Sequence, residues 1–200
     1  MNHRYTPHRL ALLALAVAVF ASTASAAPKT WKVDKDHASV AFEINHFFTP
    51  VKGQFTAFDG AFKLDAKDLA NAPTFEFSID VASVNTANAK RDKHLQSDDF
   101  FDAKKWSVIR FNGSKVEKTG DNTYKAIGTL QMRDKSRVVE VPFTLLGVQK
   151  VKAGLMSTEV MGIRIQTDLI RGDFGVGTGS WAAAAVVGEK VGVDILLELK

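Results

Sequence analysis

The residue types that could carry acid–base chemistry or anion binding are concentrated in one charged segment, Asn88–Trp106, of this 200-residue chain. Arg91 and His94 are three positions apart, so in a helix they share one face. A guanidinium group can bind a carbonyl or phosphate, and an imidazole exchanges a proton near neutral pH. Asp92 or Asp98 could orient that imidazole, as a general acid–base pair requires. The segment predicts a short helical insert that caps the rest of the fold.

Two interpretations of these polar groups stay open. In the first, Arg91 binds the headgroup of a ligand and His94 adds a hydrogen bond at the edge of the site. In the second, Arg91 and Asp92 join the insert to the body of the protein. An enzyme is not expected, because the chain lacks Gly-x-Ser-x-Gly, His-Glu-x-x-His and a phosphate-binding glycine loop followed by Lys. We therefore assign no catalytic residue.

Metal binding is not expected either. The chain has no Cys, and its histidines after residue 26 are His37, His46 and His94. His37 and His46 are nine positions apart, so on one uninterrupted strand they point to opposite faces. Asp34 is close enough to His37 in sequence to form a hydrogen-bonded pair that fixes the first strand. No metal ligand is assigned.

The first 26 residues are typical of a secretory signal peptide. Arg4 and Arg9 precede an apolar run from Leu10 to Phe20, and small residues end at a cleavage site after Ala26. We expect export to the periplasm and one domain over residues 27–200, with no transmembrane span in the mature chain. Removing the two arginines leaves 26 − 2 = 24 basic against 22 acidic residues, which is not typical of a nucleic-acid-binding protein.

The remainder of the chain alternates between apolar and polar residues. This period of two predicts about eight half-buried antiparallel strands, which most economically close into a single all-β barrel. The phase shifts within Gln54–Leu64, which predicts a bulge near Phe58–Gly60. Pro142 predicts an edge or a second bulge, and Gly172–Gly179 predicts a loop that closes the barrel.

Several segments together resemble one known family. The stretch NAKRDKHLQSDDFFDAKKW is similar to the signature region of the YceI-like family, and WKVDKDHASVAFEINH resembles its opening strand. LIRGDFGVG looks like a drifted form of the family's aspartate-phenylalanine-glycine segment. The chain departs from the family at MRDKSRVVEVPF, where Arg133 and Asp134 replace the usual His-Gly pair. The role of that loop is therefore not carried over.

The resemblance implies a lipocalin-like barrel that binds a polyisoprenoid lipid, such as a quinone or a polyprenyl phosphate, and carries no other cofactor. Strand alternation and side-chain bulk give a set of expected apolar lining residues: Phe42, Phe75, Phe77, Phe111, Phe143, Ile163, Ile165, Trp181 and Val193. Small residues at Ala182–Ala185, Gly128, Gly162 and Gly192 would leave space between the aromatic rings. The alternative is an interaction or accessory protein of a periplasmic stress or redox pathway with a filled core. A homodimer is also an open alternative, because an unpaired strand edge can pair with a second copy of the chain.

Overall fold

The computed structural model describes residues 27–154, 156–182 and 186–200, and within them the fold is all-β. The proposed signal segment, Met1–Ala26, lies outside these residues. Eleven strand segments are present: β1 Lys29–Lys32, β2 Ser39–His46, β3 Thr49–Phe55, β4 Phe58–Leu64, β5 Thr74–Asp80, β6 Val84–Asn85, β7 Val108–Gly120, β8 Thr123–Met132, β9 Lys135–Ala153, β10 Met156–Ile170 and β11 Val187–Leu199.

All strand pairs in the sheet are antiparallel, and the order is β1-β4-β5-β7-β8-β9-β10-β11-β2-β3-β6. The sheet curls far enough for the end of β1 to meet the end of β11. Lys32 and Lys200 exchange two backbone hydrogen bonds of 2.8 and 2.9 Å, and Val33 forms a bridge to Leu199. The expected antiparallel barrel is thereby confirmed.

Three of the long strands bend, which explains why eleven segments correspond to about eight strands. A 3-10 turn at Lys35–His37 separates β1 from β2, and a second at Val81–Ser83 separates β5 from β6. Residues 56–57 separate β3 from β4. Eleven segments with three such breaks make eight long strands. The change in apolar–polar alternation expected at Phe58–Gly60 is present, but the strand is interrupted at residues 56–57, just before Phe58.

Pro142 lies in β9, an interior strand of the sheet, at a point where that strand is paired on one side only, so the expected edge is present locally. It pairs with Lys125 of β8, and the ladder between β9 and β10 ends at its neighbour Phe143. The missing N–H of proline therefore falls where that ladder has already ended. The bulge in β9 is at Leu146, because Gly162 pairs with Gly147 whereas the next residue of β10 pairs with Leu145.

The expected helical insert is present as α1, Ala89–Leu95. The side chain of Asn88 caps it by accepting a hydrogen bond of 3.1 Å from the backbone N–H of Arg91. No helix within the described ranges combines the length and the apolar character that crossing a bilayer requires.

One end of the barrel, the base, is closed by side chains. Trp31, Met161 and Leu199 are fully buried there, and the indole N–H of Trp31 donates to the carbonyl of Leu64 at 3.1 Å. The α1 insert leaves the sheet between β6 and β7 and lies toward the opposite end.

Candidate functional site

An apolar cavity of about 250 Å³ occupies the interior of the barrel. Its described wall is built almost entirely from aliphatic and aromatic side chains, with Thr167 and Arg171 as the polar exceptions. A dry apolar cavity of about 150 Å³ is already enough to bind a benzene ring. This interior is larger, so it can accept a section of an apolar ligand.

Eight of the nine apolar residues expected to line the interior lie on this wall. They come from six of the eight long strands, and they are Phe42, Phe75, Phe77, Phe111, Phe143, Ile163, Ile165 and Val193. Whether each contacts a ligand stays a prediction. The ninth, Trp181, lies in a 3-10 turn beside the cavity and is not part of the described wall.

Phenylalanine rings line the cavity without filling it because several pack against glycines of the neighbouring strand. Phe42 pairs with Gly53, and a Cβ atom built on that glycine would stand 2.4 Å from the Phe42 ring. Phe75 covers Gly113 in the same way, also at 2.4 Å. Real Cβ atoms do not approach so closely, so these positions accept only glycine while the rings keep their places.

The same arrangement recurs on other strands. Phe77 pairs with Gly60 and stands 2.9 Å from a Cβ built there, and Phe111 stands 2.9 Å from one built on Gly128. Gly128 is among the small residues expected to leave space between the rings, whereas Gly53, Gly60 and Gly113 were not expected to do so. The signal available was an isolated glycine inside an alternating strand, which indicates close approach of another group.

The other small residues do not shape the lumen as expected. A Cβ on Gly162 would meet Leu146, which is exposed on the outside, and a Cβ on Gly192 would make ordinary contacts with Asp168 and Glu43. Of Ala182–Ala185, residues 183–185 lie outside the described residues. The space in the lumen is therefore left by rings lying over glycines.

Two segments cover the end of the cavity opposite the base, and we call them together the cap. The insert Asn88–Trp106 contributes Leu95, Phe100 and Phe101 to the wall. The glycine-rich segment Arg171–Ala182 contributes Phe174 and Val176. This segment had been expected to close the barrel, and its placement agrees with that expectation.

Arg91 binds to Thr86, the residue that follows β6 and precedes the insert. Its Nε donates to Thr86 Oγ1 at 2.8 Å and its Nη2 donates to the Thr86 carbonyl at 2.8 Å. Asp92 completes the arrangement by accepting hydrogen bonds from the N–H and hydroxyl of Thr86, at 2.8 and 2.6 Å. Of the two open interpretations, this geometry matches the one in which Arg91 and Asp92 join the insert to the barrel. Contact of Arg91 with a headgroup stays a prediction.

His94 joins the two parts of the cap. Its Nε2 lies 2.9 Å from a carboxylate oxygen of Asp99, and its ring meets both Phe100 and Trp181 edge to face with centroids 5.0 Å apart. Phe100 and Trp181 lie 5.8 Å apart in turn. His94 and Trp181 thus pack the insert against the glycine-rich segment beside the described wall, and any direct contact with a ligand stays a prediction.

Arg171 is a site residue that the sequence analysis missed. It is 5% exposed, lies on the cavity wall, and donates to five backbone carbonyls. These belong to Val176, Gly177, Trp181, Val187 and Gly188, and the bonds to all but Gly177 range from 2.7 to 3.0 Å. All five N–H groups of the guanidinium are used, and burial lowers its pKa. Arg171 therefore holds the glycine-rich segment and brings a positive charge to the upper end of the cavity.

Arg133 has a structural role in the loop that departs from the family pattern. Its Nη1 donates to the carbonyl of Phe100 and, at 2.7 Å, to that of Gly175. The guanidinium also lies 5.1 Å from the ring centre of Trp106. Arg133 therefore connects both parts of the cap. A sequence does not reveal such bonds, because their acceptors are backbone carbonyls that any residue can supply.

The expected pair of Asp34 and His37 forms far from the cap, with 2.8 Å between His37 Nδ1 and the carboxylate. Hydrogen bonds from Lys200 and His37 hold the pKa of Asp34 well below its usual range, and Asp34 raises the pKa of His37. Among the described residues, Asp34, His37 and Glu198 offer ligand atoms within 4.8 Å of one another. Lys200 contacts both carboxylates and His37 faces them as well, so the cluster is already paired with cationic side chains of the chain itself.

Comparisons with known proteins agree with this architecture. A family model described as the YceI-like domain matches residues 31–199. A UPF0312 protein of Pseudomonas putida is 34% identical over 171 residues, which cover 83% of this chain and 85% of that protein. A UPF0312 protein of Vibrio cholerae is 32% identical over 112 residues, or 56% of this chain, and the match spans only 59% of that relative's length.

Solved structures share the fold. The structure of Burkholderia cenocepacia BcnA matches with a TM-score of 0.71 and 26% identity, over 83% of this chain and 98% of that one. A polyisoprenoid binding domain of Saccharophagus degradans matches with a TM-score of 0.67, over 85% of this chain and 97% of that domain. At 14% identity, the second likeness concerns the fold alone.

Proposed function

The chain belongs to the YceI-like family, and from that membership we propose that it binds an amphiphilic polyisoprenoid lipid of the quinone or polyprenyl type inside the barrel. The lipid would be sequestered or transported in the periplasm. The observation that carries the proposal is the apolar cavity of about 250 Å³, which is closed by side chains at its base. A wall of this kind favours a hydrocarbon tail, at roughly 25 cal/mol per Å² of apolar surface removed from water.

The composition of the wall supports binding over catalysis. The family and the polyisoprenoid-binding neighbour point to a binding protein rather than an enzyme. The two polar side chains on the described wall are Thr167 and Arg171. Arg171 uses its N–H groups on backbone carbonyls, so it is a poor proton donor to a substrate.

The position of Arg171 supports an orientation for the ligand. Its charge lies at the upper end of a cavity whose remaining surface is apolar. A negative phosphate or an electron-rich quinone carbonyl is favoured near a positive charge in a medium of low polarity. We propose that the headgroup lies toward Arg171 and that the tail runs down toward the base.

The alternative with a filled core is disfavoured by the cavity itself. Periplasmic localisation rests on Met1–Ala26, whose pattern is typical of a cleaved signal peptide. The neighbour from Saccharophagus degradans, a polyisoprenoid binding domain by description, shares the fold that the proposed function uses. The particular lipid, its donor and its acceptor are left to experiment.

The test is to place a charge on the wall. Phe77→Asp and Phe111→Asp each introduce a carboxylate where a tail would lie, and a matched control is Val138→Asp, whose side chain is 75% exposed on the outside of β9. Delipidated proteins are titrated with a quinone that carries a polyisoprenoid tail. We expect both wall variants to lose at least about tenfold in affinity, since an unpaired charge in an apolar site is costly. Unchanged affinity in folded wall variants would contradict the proposed site.

A further inference from the structure

The turn between β2 and β3 carries two exposed aromatic rings. Phe47 is 55% exposed and Phe48 is 98% exposed, and they are the residues between His46, which ends β2, and Thr49, which begins β3. Large apolar side chains are rarely left so open at the very end of a projecting hairpin. We call Phe47 and Phe48 the hairpin tip.

The backbone of the tip is unusual as well. Phe47 has a φ of 52°, in the left-handed region that two-residue hairpin turns normally assign to Gly, Asn or Asp. A bulky residue in this conformation is strained, and such strain is found mainly where a side chain has a function. The chain therefore carries an aromatic ring at a position where the backbone conformation is strained and the exposed apolar surface is unfavourable in water.

The tip lies at the upper end of the cavity. Ile44, two residues before the end of β2, is part of the cavity wall, and so is Val187, which pairs with His46 at the end of that strand. The N–H of Phe47 donates to the carbonyl of Val186 at 2.9 Å, which fixes the tip beside the start of β11. Because the base is closed by buried side chains, a ligand that enters at an end does so on the side of the tip.

We propose that the hairpin tip inserts into the surface of a lipid bilayer and thereby places the upper end of the cavity against the membrane. The area available argues for a lipid surface rather than a protein partner. Two phenylalanine rings can bury roughly 300–500 Å², whereas a stable protein interface buries about 600–1,000 Å² on each partner. The flanking residues, His46 and Thr49, are polar and exposed.

A short aromatic tip suits the boundary between headgroups and acyl chains, where a depth of about 5–10 Å is enough for binding. The role of docking in lipid exchange rests on the proposed function, but docking itself does not. The tip would let the lipid pass between bilayer and barrel without crossing open water.

The experiment measures vesicle binding and cavity loading separately. Protein expressed from the full sequence is sedimented with vesicles of equal parts phosphatidylethanolamine and phosphatidylglycerol. Three variants are compared with the unaltered chain: Phe48→Ser, the double variant Phe47→Ser/Phe48→Ser, and the control Val151→Ser, which removes an exposed apolar side chain near the opposite end of the barrel. Circular dichroism checks folding, and lipid extracted from each protein is counted by mass spectrometry.

We expect Phe48→Ser to weaken partition into vesicles about tenfold and the double variant to weaken it further, because each ring loses roughly half of a full phenylalanine burial. Val151→Ser should bind as the unaltered chain does. The proposal is overturned if the double variant sediments with vesicles as the unaltered chain does. It is also overturned if the only change in the double variant is the loss of a dimer that native mass spectrometry detects in the unaltered chain. Normal cavity loading with unchanged sedimentation refutes docking alone. If the double variant no longer sediments with vesicles but no protein in the series contains extracted lipid, the proposed function is refuted and docking is not.

Discussion

Replacing Ala126 with phenylalanine separates an empty barrel from a filled one. Ala126 is buried on β8, and its side chain lies on the cavity wall. In the strand its partners are Val116 and Val141, which also line the cavity. An added ring therefore points into the space that we assign to the lipid tail.

An empty barrel and a filled barrel predict opposite signs for the change that Ala126→Phe causes in the free energy of unfolding. If the cavity is empty, about 100 Å² of additional apolar burial contributes about 2.5 kcal/mol, and the cost of fixing the side chain leaves about 1–2 kcal/mol of net stabilisation. In a filled core the same ring is overpacked and costs about 1–3 kcal/mol. For a domain of this size, the melting temperature shifts by about 2–4 °C per kcal/mol.

The assay compares melting temperatures of delipidated, refolded proteins, so that lost ligand does not disguise the effect of packing. Ala126→Phe should melt higher by about 2–8 °C and should retain less lipid when purified without delipidation. Gly128→Ala on the same strand is the control, because its Cβ would stand 2.4 Å from the backbone carbonyl oxygen of Asn112. It should melt lower despite being the smaller change. A lower melting temperature for Ala126→Phe would refute the empty cavity.

Three further predictions concern the cavity, its cap and the cluster around Asp34. Gly53→Ala should push the Phe42 ring into the lumen, lower stability by about 1–3 kcal/mol and reduce lipid loading, as urea unfolding and lipid extraction would measure. Arg171→Met should cost more than about 2 kcal/mol in urea unfolding, because several backbone carbonyls lose their donor. Because Asp34 raises the pKa of His37, the protonated ring stabilises the fold below about pH 6.5. That contribution fades as the pH rises through the raised pKa, and His37→Asn should abolish this part of the pH dependence of stability.

Each of these has a matched control. Gly172→Ala should be neutral, since a Cβ there meets nothing within 4 Å. Arg137→Met, which removes an exposed donor to the Asp173 carbonyl, should change stability by less than about 0.5 kcal/mol. His46→Asn should leave the pH dependence in place. Equal effects in a variant and its control would count against the specific contact.

The sequence was most informative about which strand face is buried. Alternation with a period of two follows directly from the pleat, so eight of the nine expected apolar lining residues lie on one continuous surface. The insert and the pairing of Asp34 with His37 were also predictable, because both depend on residues close together in sequence. Such local patterns need no knowledge of which strands are neighbours.

The parts that were missed depend on contacts between distant strands or on backbone acceptors. Phe42 lies over Gly53 only because β2 and β3 pair in one register, and a shift by one residue would undo it. The bonds of Arg171 and Arg133 end on carbonyl oxygens, which have no signature in the sequence. Trp181 has the bulk of a lining residue, but it lies in a turn where strand alternation does not apply.

The most direct test of the central claim is native mass spectrometry of protein expressed from the full sequence and purified without detergent, followed by organic extraction. The account predicts an additional apolar mass of about one lipid per chain, carrying an isoprenoid tail, together with the loss of Met1–Ala26. A clean mass without lipid, from protein expressed in a host that makes polyisoprenoid quinones and polyprenyl phosphates, would contradict a lipid-binding function for the cavity.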